Sequence, residues 1–182
     1  KTPKAMFSSS SEGALNSLEK LGYPAVLKPT IGSWGKLMTM LRDKGYAEEI
    51  LDHREHMHPS YQAYYLEEKV NRPPRDIRSF VIGGKVIAAI YRYSSPGEWR
   101  TNTSRGGKAT NCPITSELED ISLRACSAIG EGVFGVDCME TENGLVIHEV
   151  NSTTEFRNSV PATGVDIPGA IVDHLVELSK SS

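Results

Sequence analysis

The sequence lacks the features that would mark a membrane protein, a nucleic-acid binder or a disulfide scaffold. No apolar run approaches the roughly 20 residues that a bilayer span needs, and the first residues show no charged-apolar-small leader pattern. The formal net charge of -3 and isoelectric point near 6.0 exclude a generally basic surface, so no nucleic-acid partner is expected. Cysteine is scarce. Cys112, Cys126 and Cys138 are too widely spaced for a disulfide framework or a CxxC metal pair, and they read as reduced packing residues. There is no internal repeat or low-complexity tract. The chain opens at Lys1-Thr2-Pro3-Lys4 without an initiator Met, from which a missing N-terminal domain is expected. What remains is a 182-residue chain, 38% hydrophobic, expected to be globular and cytoplasmic and long enough for one domain or two small ones.

Ser9 and Glu12 have capping-box spacing, and Ala14, Leu15, Leu18 and Leu21 repeat at helical intervals up to Gly22. Residues 23–29 read as a strand ending at Lys28, 37–41 as a returning strand, 46–54 as a helix and 61–70 as a long strand. Asn71-Arg72-Pro73-Pro74 then breaks the chain, and domains over 1–70 and 71–182 are expected on either side. Gly83-Gly84 joins strands over 76–82 and 85–93 in a hairpin. The polar stretch 94–111 is too long for a plain connection. A helix over 115–130, a second hairpin with strands 133–140 and 145–150, and a terminal helix over 167–178 complete an α+β reading in two lobes.

Gly32-Ser33-Trp34-Gly35-Lys36 is a glycine turn between two strands, bracketed by Lys28 and Lys36. Such a turn can offer backbone N–H groups and positive charge to phosphate oxygens, although a plain glycine hairpin explains it equally well. It lacks the spacing of a P-loop. Asp137, Glu149 and Asn151 fall on the two strands of the second hairpin, and the spacing of two puts Glu149 and Asn151 on one face. An all-oxygen set of this kind suits magnesium. The alternative is a solvated hairpin face, against which stands the cost of carboxylates inside the apolar runs 134–139 and 145–150. Arg92, Arg100, Arg105 and Lys108, with Asn102 and Gly106-Gly107, make the 94–111 stretch read as a clamp over an anion rather than a loose basic loop. His53, His56 and His58 lie in a polar helix end before Pro59 and read as solvated, not as a zinc site.

These segments resemble the ATP-grasp superfamily, in its branch of ribosomal-protein-modifying and lysine-biosynthesis ligases. The resemblance spans essentially the whole chain. It is carried by KPTIGSWGK (28–36), LEEKV (66–70), RDIRSFVIGGKVIAAIYR (75–92), NTSRGGKATNCPIT (102–115), GVDCME (135–140) and HEVNSTTEFRNS (148–159). It implies an ATP-grasp fold in which two α+β subdomains clasp ATP, with a further N-terminal domain that is expected to be missing from the sequence given. It implies that Lys28 and Lys36, with Gly32, Ser33, Trp34 and Gly35, contact ATP phosphates, and that Glu67, Glu68, Lys69 and Val70 line adenine. Asp76, Arg78, Arg92 and Asn102 would complete the nucleotide site, and Asp137, Glu149 and Asn151 would hold two magnesium ions, with Glu149 bridging them. Arg105 would be catalytic, steadying the acyl phosphate and the tetrahedral intermediate.

Within that branch the chain resembles the ligases that join α-aminoadipate to an acidic, LysW-like amino-group carrier protein. Asn158 and Ser159 stand where glutamate-specific relatives carry Gly-Phe, which implies a preference for α-aminoadipate over glutamate. A homo-oligomer is implied for the full-length protein. A glutamate-specific or ribosomal-tail ligase on the same fold and a non-catalytic nucleotide-binding module are the competing readings.

Overall fold

The computed structural model describes residues 1–32, 34–101 and 107–181. The chain divides into two units, one comprising Pro3–Asn71 and the other Lys1–Thr2 with Arg72–Ser182. Lys1 and Thr2 go with the second unit, where the Lys1 carbonyl accepts from the Ile147 N–H at 2.8 Å.

The Pro3–Asn71 unit is a four-stranded antiparallel sheet with two helices. Its strands are β1 (Ala5–Ser8), β2 (Ala25–Lys28), β3 (Thr39–Leu41) and β4 (Tyr64–Glu68), in the order β1-β4-β2-β3. Helix α1 (Ser11–Leu21) starts one residue later than the capping-box spacing suggests. Ser10, not Ser9, caps it, its Oγ accepting from the Gly13 N–H at 3.1 Å. Helix α2 (Lys44–Glu55) begins before Tyr46 because Asp43 accepts from the Tyr46 N–H at 2.9 Å. The strand expected from Tyr61 begins only at Tyr64, since Pro59–Tyr61 forms a 3-10 turn capped by the His58 ring. Ala14 and Leu18 from α1, Ala47 and Leu51 from α2, and Leu27, Leu41, Tyr64 and Leu66 from the sheet form this unit's core.

The second unit is a five-stranded antiparallel sheet. Its strands are β5 (Arg75–Ile82), β6 (Lys85–Tyr93), β7 (Lys108–Asn111), β8 (Val133–Thr141) and β9 (Gly144–Asn151), in the order β7-β6-β5-β8-β9. Alternation along each strand splits its side chains between two faces. One face, with Ile77, Val81, Val136 and Cys138, packs on Leu118 and Cys126 of α3 (Ser116–Ser127). The other, with Phe80, Ile82, Ala88 and Ile90, packs on the short α4 (Ser159–Thr163) and on Ile167 of α5 (Ile167–Ser181). All three cysteines are free and buried. Burial pushes the Cys112 and Cys126 thiols up and takes Cys138 up to about 12, so all three behave as packing groups. Among the described residues no helix is long and apolar enough to cross a membrane.

Candidate functional site

On the smaller unit, Lys28 ends β2 and is brought beside β4 by the pairing of Lys28 with Tyr65 and of Val26 with Glu67. Its Nζ donates to both Glu67 carboxylate oxygens at 2.7 Å and lies 5.8 Å from the centre of the Tyr65 ring. Glu67 is buried at 3% exposure, so the pair is shielded from water on the carboxylate side. After β2 the chain enters the glycine turn. Trp34, Gly35 and Leu37 all adopt left-handed backbone conformations, with φ of 59°, 64° and 58°. Trp34 and Lys36 are exposed, and the Lys36 ammonium lies 5.2 Å from the Trp34 ring centre. Glu68 accepts from the Lys4 N–H at 2.9 Å, and the Lys69 ammonium donates to the Val70 carbonyl at 3.0 Å. Ser33 lies outside the described residues.

On the larger unit, strand register does the assembling. Asp76 lies opposite Arg92, Arg78 opposite Asp137, Asp137 opposite Glu149 and Gly135 opposite Asn151, so all seven belong to one face of the sheet. This is the α4–α5 face. Arg92 forms a two-pronged bond to Asp76 at 2.7 and 2.8 Å and reaches Asp137 at 3.0 Å. Arg78 forms a second two-pronged bond to Asp137, with Nη2 to Oδ2 at 2.8 Å and Nε on the other oxygen. Thr101 donates its hydroxyl proton to Asp76. Asp76, Arg92, Thr101 and Asp137 are each 7% exposed or less.

The charges in this cluster are fixed by one another. Burial pushes the Asp137 carboxyl up, but Arg92 and Arg78 more than reverse that and hold it well below the usual carboxylate range. Burial likewise works against the Arg92 charge, and Asp137 and Asp76 hold it protonated. Each charge thus favours the ionised form of the other.

One expectation about this face is corrected. Glu149 is exposed, so the cost of burying a carboxylate applies to Asp137 alone, and there two arginines offset it. A bulge at His148 is the local reason: Asp137 pairs with Glu149, whereas Cys138 pairs with Ile147. Asn151 is half-buried and its Nδ2 is buried without a hydrogen-bond partner. Among the described residues no group of three or more His, Cys, Asp or Glu is placed to hold a metal. The candidate set is thus two carboxylates and one amide. Directly opposed side chains on an antiparallel pair have Cβ atoms roughly 5 Å apart, where like charges repel. Asp137 and Glu149 are such a pair. Two hard carboxylates at that spacing, with an amide whose unbonded end can turn its oxygen inward, fit a magnesium ion that keeps water and phosphate in its remaining positions.

Gly135 has a definite place in this face. A Cβ there would run into the Thr154 hydroxyl and lie 3.1 Å from Arg78 Nη1, so glycine leaves room on this face for both side chains. Thr154, bonded to Arg78 at 3.3 Å, and Thr101 were not expected from the sequence. No local pattern marks them, because their partners are 76 and 25 residues away. The Arg75–Glu140 pair at 2.7 and 2.8 Å, with the Arg75 guanidinium 3.9 Å from the Tyr91 ring centre, lies on the α3 face and belongs to the framework.

Of the two expected specificity residues, Asn158 is exposed at the start of α4 and Ser159 is 2% exposed. The Ser159 N–H donates to the Phe156 carbonyl and its own carbonyl accepts from Thr163 Oγ1, both at 2.8 Å. Asn102 and Arg105 lie outside the described residues. His56 and His58 bond to the Asp52 carbonyl and the Ser60 hydroxyl at 2.9 and 3.0 Å.

Comparison with known proteins agrees with this architecture. The α-aminoadipate–LysW ligase LysX of Sulfurisphaera tokodaii is 35% identical over 182 residues, covering 99% of this chain and 64% of that protein. The glutamate–LysW ligase ArgX of the same organism is 32% identical over 177 residues, covering 96% of this chain and 63% of that protein. The chain therefore spans somewhat less than two thirds of either relative. In fold, it matches the crystal structure of an ATP-grasp RimK domain protein from Sphaerobacter thermophilus with a TM-score of 0.75 at 22% identity, over 95% of this chain and 61% of that one. The RimK-like ATP-grasp domain model matches residues 1–175, and the chain belongs to that family.

Proposed function

We propose that this chain is the nucleotide- and metal-binding part of an ADP-forming carboxylate–amine ligase, which joins the α-amino group of α-aminoadipate to the side-chain carboxylate of the C-terminal glutamate of a LysW-like carrier protein. The observation that carries the reading is the row formed by Asp76, Arg92, Asp137 and Arg78, with Glu149 directly opposite Asp137 and, on the same face, Asn151 with its Nδ2 unpartnered. Its charge is fixed and its donors are oxygen, as MgATP chemistry requires.

In this reading Asp137, Glu149 and Asn151 would hold magnesium, which would supply charge neutralisation for phosphoryl transfer. Arg78 and Arg92 keep Asp137 ionised and fixed in place. Lys28 and Lys36 take the phosphates, with Glu67 orienting Lys28 through its two 2.7 Å bonds. Glu67 to Val70, at the end of β4, line the adenine. Arg105 steadies the acyl phosphate and the tetrahedral adduct formed when the amine attacks; that role rests on the family pattern. The chain's own contribution is position and preorganised charge.

The choice of amino acid falls on Asn158, the accessible member of the Asn158–Ser159 pair, and a glutamate-specific ligase is the second reading because the ArgX relative is nearly as similar. The test is ADP release by the full-length protein with carrier and ATP, comparing α-aminoadipate with glutamate. Faster release with α-aminoadipate supports the first reading, faster release with glutamate replaces it with the second, and release with neither removes the ligase assignment.

A further inference from the structure

Arg54, in the last turn of α2, is 4% exposed and has no carboxylate partner among the described residues. Its Nη2 donates to the Leu37 carbonyl at 2.5 Å, and its guanidinium lies 6.0 Å from the Tyr61 ring centre. Its Nη1 is buried with no hydrogen-bond partner. Burial pulls the guanidinium below its ordinary pKa, against weaker support from Tyr64 and Tyr61. A buried cation with one unsatisfied donor and no counter-charge is a net cost, offset only in part by its place near a helix C-terminus. An apolar side chain of similar length would fill the site without that cost.

What Arg54 touches gives the reason to keep it. Leu37 closes the glycine turn, and like Trp34 it holds a left-handed conformation that side chains larger than glycine rarely adopt. Such backbone persists only where its surroundings hold it, and strain of this kind is characteristic of binding loops. The grip on the Leu37 carbonyl reaches the turn from α2, outside it in the chain.

We propose that Arg54 is a positioning residue of the phosphate-binding turn: by gripping the Leu37 carbonyl from α2 it holds residues 34–37, Lys36 among them, in the conformation that receives nucleotide. Arg54 does not itself touch the phosphates. The inference rests on the nucleotide reading given above, and its test separates the two.

The dissociation constant for MgATP and the thermal midpoint without nucleotide are measured on the full-length protein and on Arg54→Met and Arg54→Lys. The expected result for Arg54→Met is MgATP affinity weakened about tenfold, which is about 1.4 kcal/mol, with the nucleotide-free midpoint unchanged or raised. Arg54→Lys, whose ammonium can still donate to a carbonyl, is expected to fall between Met and Arg. An affinity in Arg54→Met within about threefold of the unaltered protein overturns the inference, as does a loss of affinity that only follows a lowered midpoint. If Arg54→Met does not fold, Arg54→Leu, which also lacks the donor, is judged by the same threefold limit. Failure of the unaltered protein to bind MgATP removes the nucleotide reading instead.

Discussion

Asp137 accepts from two guanidinium groups while 4% exposed, so its removal strands two positive charges in a nearly dry part of the sheet. Losing one partner of a buried ion cluster typically costs roughly 3–5 kcal/mol. Asp137→Ala is therefore expected to lower the urea-unfolding free energy by that order, and a loss under about 1 kcal/mol would mean that the cluster contributes little beyond packing. Glu98 is a contrasting case. Bonds from the Arg100 guanidinium outweigh the effect of its burial, and the Arg100 and Trp99 N–H groups add to them, taking its carboxyl down to about 2. Because the folded value lies below the unfolded one of about 4.5, the stabilisation is complete above that pH and is lost as the pH falls toward 2. An NMR titration of the Glu98 side chain is expected to show its midpoint near 2, and a midpoint above 4 would mean that the Arg100 contact does not form in solution.

At the scale of elements, turn and cap chemistry sets where each segment starts, and strand pairing sets what it presents. Ser10→Ala removes the Oγ that receives the Gly13 N–H, an N-cap loss expected to cost about 1 kcal/mol. Gly135→Ala has a different consequence. The new methyl group would crowd the Thr154 hydroxyl first and Arg78 Nη1 next, so the side chains around the Arg78–Asp137 pair must shift. Magnesium-dependent nucleotide affinity is expected to fall by tenfold or more while the β8 register, followed by amide chemical shifts, is preserved; unchanged affinity would show that Arg78 has room to move. The sequence itself revealed both hairpins, the helical periodicities and the polarity of the future site face, because those depend on neighbours a few residues away. It did not reveal β1, β7 or α4. β1 exists by pairing with β4 some sixty residues on, β7 lies inside a polar stretch and pairs only at the edge of β6, and α4 is too short for a period to show. The same limit explains the misjudged burial of Glu149. Alternation placed it correctly beside Asn151, but the bulge at His148 cannot be read from a single strand.

The candidate groups lie on two separately cored units, and a ligand's effect on overall stability reports on its binding to the folded protein as a whole. Glu149 is exposed and makes a clean probe for this purpose. Glu149→Ala is expected to change the stability of the ligand-free protein by no more than about 0.5 kcal/mol, the usual range for surface substitutions. A ligand at a hundred times its dissociation constant stabilises the folded state by about 2.7 kcal/mol. For a protein of this size each kcal/mol moves the midpoint by roughly 2–4 °C, so ATP with magnesium is expected to raise it by roughly 5–10 °C in the full-length protein. Magnesium omission should remove most of that rise, and Glu149→Ala should do the same with magnesium present. A rise that persists in Glu149→Ala would take Glu149 out of the metal site but leave nucleotide binding standing, whereas no rise in the unaltered protein would remove both.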